Sequence, residues 1–130
     1  MVLTYVDSSV ALAHLFREPR APRPSFWEGP KVSSSLLEYE IWNRLHAYGR
    51  AMTHGGKAHD LLAGIELSEM TRPMLARALE PWPVPLRTPG ALHLATIDYL
   101  RRQGEVVELA SYDNRLLTAA AVLGIPAAPL

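Results

Sequence analysis

Segments of two kinds alternate along the chain, and each kind has its own spacing of apolar residues. Short β-branched or apolar runs, typical of strands, occupy residues 2–6, 31–34, 65–70, 105–111 and 125–129. Apolar residues three or four positions apart, typical of helices, recur in residues 10–17, 35–50, 54–65, 72–80, 91–103 and 115–124. This alternation predicts a mostly parallel central sheet covered by helices. We therefore expect an α/β fold of three layers, α/β/α, forming one domain over residues 1–130.

Composition and charge exclude several classes of function. The 13 basic and 13 acidic side chains cancel, so any contact with nucleic acid would use a local patch rather than a broadly basic surface. The chain has no cysteine, which excludes disulfides and thiolate metal sites and fits a cytoplasmic protein. No run of 18 apolar residues predicts a membrane span. Neither a P-loop nor a dinucleotide fingerprint is present.

Two aspartates occupy equivalent positions in the predicted fold. Asp7 and Asp113 each lie just past the C-terminal end of a predicted strand and before a predicted helix. Ligands of open α/β sheets bind outside the carboxyl ends of the strands, so we expect these two carboxylates to converge. The alternative is that each aspartate only caps the helix that follows it, a role in which aspartate is common.

A third acid is available from the helix predicted at residues 35–50. Glu38 and Glu40 point about 200° apart on a helix, so only one of them can face the strand ends. The apolar spacing slightly favours Glu40 without deciding between them. A site of three carboxylates without cysteine suits Mg²⁺ or Mn²⁺ rather than Zn²⁺. Such a cation can activate a water molecule for attack on a phosphate.

Four segments carry a resemblance to a known family. They are DSSVALAHL, SSSLLEYEIWNRL, LRTPGALHLAT and SYDNRLLTAAAVLG. Their order and spacing, nearly from end to end, resemble the PIN domain, and more closely the VapC-type ribonuclease toxins of type II toxin–antitoxin systems. The resemblance implies a Mg²⁺-dependent endoribonuclease toxin that hydrolyses RNA phosphodiesters. It also implies a cognate antitoxin protein and a homodimer as partners.

The resemblance also implies roles for individual residues. The family has an acid after the first strand, a hydroxyl residue two positions later, a helix glutamate spaced S-x-L-x-x-x-E, and a late T-x-D pair. The helix spacing begins here at Ser34 and selects Glu40. In the late pair, Ser111 stands in the threonine position before Asp113. The implied catalytic set has three metal ligands and two supporting serines: Asp7, Glu40, Asp113, Ser9 and Ser111.

One position departs from the family pattern. The phrase R-T-x-D-A-L-H-L-A has an acid where this chain has Gly90. Asp98 cannot replace that acid, because it lies about 12 Å farther along the helix axis. Gly90 is explained either by a backbone that needs positive φ after Pro89, or by loss of the acid, natural or selected during cloning against toxicity. We expect weakened activity; the alternative is a catalytically inactive PIN-like protein that binds antitoxin or RNA without cleavage.

Three further side chains complete the predictions. Arg17 and Arg115 are expected to hold RNA phosphates, since both flank the predicted strand ends. His93 stands between two leucines and is interpreted as a packed or rim histidine rather than a ligand.

Overall fold

A computed structural model describes residues 1–130 of the chain. It contains four strands and six α-helices, with one 3-10 helix at Pro24–Trp27. Their order along the chain is β1 (Val2–Val6), α1 (Ser8–Leu15), β2 (Lys31–Ser34), α2 (Leu36–Ala47), α3 (Ala51–Ala63), β3 (Glu66–Ser68), α4 (Arg72–Ala78), α5 (Thr88–Arg102), β4 (Val106–Ala110) and α6 (Asn114–Val122). No helix combines the length and apolar character needed to cross a membrane.

The four strands form one parallel sheet in the order β3-β2-β1-β4. Because every pair is parallel, all four carboxyl ends lie at the same edge of the sheet. β1 is an inner strand, paired with β2 on one side and with β4 on the other. The residues that follow β1 and β4 are therefore neighbours, and the backbone N–H of Asp7 donates to the carbonyl oxygen of Ala110 at 3.0 Å. The predicted parallel sheet is confirmed.

Two apolar cores cover the two faces of the sheet. Successive residues of a strand point to opposite faces, and β1 follows this rule: Val6 belongs to one core and Tyr5 to the other. The first core packs residues of α1 and α2 such as Val10 and Ile41. The second packs residues of α5 and α6 such as Leu94. This arrangement gives the predicted three layers, α/β/α.

The predicted start of α3 was wrong. A helix over residues 54–65 was expected, with the Gly-Gly pair at its start, but α3 begins at Ala51 and carries Gly55 in its interior. A Cβ at position 55 would come within 3.1 Å of Cη2 of Trp42 on α2. Gly55 therefore lets the two helices approach closely, which outweighs the poor helix propensity of glycine.

The predicted last strand, at residues 125–129, was also wrong. Only an isolated parallel bridge forms there, between Leu109 and Ala127. Leu109 donates to the carbonyl oxygen of Pro126 and accepts from the N–H of Ala128. Pro126 and Pro129 have no N–H to donate, which prevents a longer ladder. The strand expected at residues 65–70 is shortened to three residues, Glu66–Ser68.

Candidate active site at the carboxyl edge of the sheet

Asp7 directly follows β1, and only 6% of the residue is exposed. It stands at the N-cap of α1, yet its side chain makes no capping hydrogen bond. Its Oδ2 instead accepts from the hydroxyl of Ser9 at 2.7 Å and from that of Ser111 at 2.8 Å. The carboxylate is therefore held by α1 and by the end of β4, and it does not serve α1 as a cap.

Asp113 occupies the equivalent place after β4 but is exposed. Its Oδ1 accepts from the backbone N–H of Arg115 at 3.0 Å and from that of Leu116 at 3.2 Å, so it caps α6. The backbone N–H of Asp113 donates to Oγ of Ser111 at 2.9 Å. The interpretation of aspartate as a helix cap thus holds for Asp113, whose Oδ2 is left out of the cap.

Glu40, rather than Glu38, faces these strand ends from α2. Glu38 is exposed on the helix surface. Oε2 of Glu40 accepts from the hydroxyl of Ser8 at 3.1 Å, and Oε1 lies 2.5 Å from Nε2 of His93. The same Nε2 lies 3.9 Å from Oδ1 of Asp7. Oxygens of Asp7 and Glu40 therefore both lie within 4 Å of one nitrogen atom.

The three acids line one cleft of about 300 Å³. Its other polar residues come from α1, α2, α5 and the loops between helices and strands. The titratable and hydroxyl side chains that line it are Asp7, Ser8, Ser9, Glu18, Glu40, His93 and Asp113, together with Arg20, Arg44 and Arg87. The cleft thus combines carboxylates with three guanidinium groups, although the chain as a whole has no net charge. Such a mixture suits a ligand that carries both a cation and phosphate groups.

The two arginines predicted to hold RNA are placed differently. Arg115 lines a pocket that adjoins the cleft, since that pocket also contains Gly90 and Asp113. Arg17 lines another pocket with His14 and Lys57, and that pocket shares Glu18 with the cleft. Arg17 lies in the turn after α1 with a φ of 51°. Its contact with RNA stays a prediction.

Gly90 lies in the first turn of α5 and lines the cleft beside Asp113. Its φ is not among the positive values of the chain, so the backbone does not require glycine there. A Cβ at this position would meet only ordinary contacts, the nearest being Leu86 at 3.8 Å and Leu116 at 4.0 Å. The explanation by backbone demand was wrong. A side chain at position 90 would fit, at a position that lines the cleft.

The donor atoms of the cleft are of the kind that Mg²⁺ and Mn²⁺ prefer. Carboxylate oxygens predominate, and Oδ1 of Asp7 and Oδ2 of Asp113 are left free by the hydrogen bonds described above. No group of three His, Cys, Asp or Glu side chains is already arranged as a metal site. Mg²⁺ often takes only one or two protein carboxylates and keeps several waters. Two free carboxylate oxygens therefore suffice in kind and number.

Two residues in this cleft were not found from the sequence. His93 was interpreted as a packed histidine; it is buried, with 1% exposed, but it also contacts Glu40. Ser8 was not among the predicted site residues, although it donates to Glu40. One signal for His93 was available, because it lies three positions after Gly90 and so on the same face of α5.

The chain is similar to two curated relatives over almost its whole length. It is 32% identical over 128 residues to ribonuclease VapC46 of Mycobacterium tuberculosis. The aligned region covers 96% of this chain and 95% of that protein. It is 27% identical over 129 residues to ribonuclease VapC47 of the same species, covering 94% and 93%. No model of a protein family matches the chain.

A solved structure shares the fold. A chain of a toxin-antitoxin complex from Klebsiella pneumoniae superposes with a TM-score of 0.66, at 16% identity and with 94% of each chain covered. That likeness supports the α/β architecture alone. The identity and coverage shared with ribonuclease VapC46 establish the family. The chain belongs to the VapC family of ribonucleases, with the PIN-like fold that the resemblance predicted.

Proposed function

We propose that this protein is a metal-dependent endoribonuclease, the toxin of a toxin–antitoxin pair, and that it hydrolyses RNA phosphodiesters in the cleft at the carboxyl edge of the sheet. The observation that carries the proposal is the arrangement of Asp7, Glu40 and Asp113. These acids come from three separate parts of the chain, line one cleft, and are each held by two hydrogen-bond donors. The ribonuclease names of the two relatives agree with this chemistry.

The carboxylates would hold Mg²⁺ or Mn²⁺ through Oδ1 of Asp7 and Oδ2 of Asp113, with Glu40 beside them. When bound, such a cation supplies an acidified water and offsets negative charge on the phosphate. Ser9 and Ser111 keep the carboxylate of Asp7 in one orientation, since both hydroxyls donate to its Oδ2. Fixed orientation of the ligand groups spares the site a costly rearrangement during the reaction.

The arginines of the cleft are suited to the RNA backbone. Arg20, Arg44 and Arg87 line it, and Arg115 lines the adjoining pocket. Guanidinium groups make bidentate hydrogen bonds to phosphate oxygens. These contacts orient the strand without reading its sequence. Arg17, in the neighbouring pocket, stays a predicted contact with RNA.

Gly90 weakens the enzyme in this proposal. The position lines the cleft and has room for a side chain, so the family's acid would have added a further oxygen ligand to Asp7, Glu40 and Asp113. Losing a group that supports a metal site typically lowers affinity or activity about 10–100-fold. A second candidate function follows from the same glycine and from the absence of a preformed group of three ligands. In that case the chain binds antitoxin or RNA without cleavage.

Partners and setting are part of the proposal. The structural neighbour is described as a toxin-antitoxin complex, which supports an antitoxin partner for this chain. Exposed apolar side chains on α2 and α3, such as Tyr39 and Met52, are available for that contact or for a homodimer. The lack of cysteine agrees with a cytoplasmic protein.

Cleavage of single-stranded RNA tests the proposal. The purified chain and its Gly90→Asp variant are compared with Mg²⁺, with Mn²⁺ and with a chelator. We expect metal-dependent cleavage that Gly90→Asp raises about 10–100-fold, while the matched control Glu38→Gln behaves as the parent. Cleavage that persists in the chelator would contradict the metal-dependent mechanism. Antitoxin binding without cleavage by either chain would favour the non-catalytic alternative.

A further inference from the structure

His93 is the one histidine of the chain that is fully enclosed, with 1% exposed. Both of its ring nitrogens have partners from distant parts of the sequence. Nδ1 lies 2.7 Å from the hydroxyl of Tyr5 on β1, and Nε2 lies 2.5 Å from Oε1 of Glu40 on α2. The edge of the ring also packs against Tyr5, with centroids 5.6 Å apart. A histidine that only filled the core would not need a carboxylate beside its Nε2.

The direction of the hydrogen bond to Glu40 follows from its acceptor. A carboxylate oxygen can only accept, so Nε2 of His93 carries a hydrogen and donates it to Oε1 of Glu40 at 2.5 Å. On the other side of the ring, the hydroxyl of Tyr5 lies 2.7 Å from Nδ1 and accepts from the backbone N–H of Ser34 at 3.1 Å. Contacts at both ring nitrogens therefore hold the imidazole in one orientation.

We propose that Tyr5 and His93 are positioning residues that hold the carboxylate of Glu40 in place beside Asp7. The proposal rests on the proposed function, because it assigns Glu40 to the metal-binding cleft. Ser8 donates to Oε2 of Glu40 and His93 to Oε1, so both oxygens are fixed. Nε2 of His93 lies 3.9 Å from Oδ1 of Asp7, beyond hydrogen-bond distance, and leaves that oxygen free for a cation.

The effect of His93 should therefore depend on the carboxylate of Glu40. Mn²⁺ affinity, measured from the electron paramagnetic resonance signal of free Mn²⁺, is compared in four chains. These are the parent, His93→Leu, Glu40→Gln and the double variant. We expect His93→Leu to weaken binding about 10–100-fold in the parent and less than about threefold in the Glu40→Gln background, because the two act as one unit. Equal losses in both backgrounds would show a merely structural role and overturn the proposal.

Rescue by a conservative substitution separates the hydrogen bond from packing. The amide nitrogen of glutamine can stand near the position of the histidine Nε2 and donate to Glu40, whereas leucine cannot. His93→Gln should thus restore Mn²⁺ affinity to within a few-fold of the parent. An affinity as low as that of His93→Leu would overturn the proposal. His59→Gln, an exposed histidine on α3, is the matched control.

A measurement on the unmodified chain tests the hydrogen-bond direction even if a variant fails to fold. The ¹⁵N spectrum of histidine-labelled, metal-free protein distinguishes a protonated from an unprotonated ring nitrogen. We expect Nε2 of His93 to carry a hydrogen, because it donates to the carboxylate of Glu40. A bare Nε2 would overturn the proposal. Loss of Mn²⁺ binding in Asp7→Asn without any change in His93→Leu would overturn it too, while leaving the proposed function intact.

Discussion

The junctions β1–α1 and β4–α6 carry the same sequence pattern, a strand followed by aspartate and a helix, but use the aspartate differently. The Asp7 carboxylate is buried and accepts two serine hydroxyls, whereas that of Asp113 is exposed and accepts two backbone N–H groups at the start of α6. The serines explain the difference. Oγ of Ser9 accepts from the N–H of Tyr112 and Oγ of Ser111 from that of Asp113, so both hydroxyl hydrogens are directed at Asp7.

The comparison shows that helix capping and ligand binding are not exclusive interpretations of one pattern. In Asp113, Oδ1 accepts the capping hydrogen bonds and Oδ2 makes none of them. In Asp7, Oδ2 accepts from two serine hydroxyls, and the side chain does not cap α1. Asp7 therefore depends on long-range contacts, and Asp113 on local ones. Substitutions at the two positions should separate ligand function from stability.

The largest effect is expected from Asp7→Asn. Asparagine can still accept the two serine hydroxyls, so the chain should fold, but the negative charge that attracts the cation is lost. We expect Mn²⁺ affinity and RNA cleavage to fall by about 100-fold or more, beyond the loss typical of supporting groups. Calorimetric Mn²⁺ titration measures the first and an RNA cleavage assay the second. Asp60→Asn on α3, outside the cleft, is the control; equal behaviour of the two variants would contradict the assignment.

A pair of substitutions at Asp113 should divide its two roles. Asparagine caps helices as well as aspartate, while alanine does not. Both Asp113→Asn and Asp113→Ala should lose about 10–100-fold in activity. Only Asp113→Ala should also lose stability, by about 1 kcal/mol in urea unfolding, because α6 loses its cap. Full activity in Asp113→Asn would show that this residue is a cap and nothing more.

A smaller effect is expected at the serine that joins the two junctions. Ser111→Ala removes a hydrogen bond to the Asp7 carboxylate, and bonds to charged groups contribute about 1.5–3 kcal/mol. Part of that energy should appear as lower stability and part as a several-fold loss of Mn²⁺ affinity. Ser111→Thr keeps the hydroxyl and should retain most of the affinity. A threonine variant as weak as the alanine variant would indicate that packing, not the hydroxyl, matters at this buried position.

Much of the fold could be predicted because its signals are local. The bounds of β1 and β2 were expected from their apolar and β-branched residues, and the parallel sheet from their alternation with helices. The start of α3 could not be predicted, because glycine at position 55 is favoured by the close approach of Trp42 from α2. That contact is tertiary and leaves no local signal. The same holds for residues 125–129, where prolines limit pairing that their apolar neighbours favour.

Among the site residues, too, those with a local sequence signal could be predicted and those defined by long-range contacts could not. The two aspartates were expected to converge because parallel strands end at one edge, and the structure places both in one cleft. Periodicity could not choose between Glu38 and Glu40. His93 was missed since its partners Tyr5 and Glu40 lie 88 and 53 positions away in the chain. No local spacing encodes such a set of contacts.

The central claim is that Asp7 and Asp113 together bind a divalent cation. Crystals of the protein soaked in Mn²⁺ and measured at a wavelength where manganese scatters anomalously test it most directly. The claim predicts an anomalous peak in the cleft within roughly 2.5 Å of an oxygen of Asp7 and within direct or water-bridged reach of Asp113. A cleft without a peak, or a peak bound only by residues outside it, would contradict the claim.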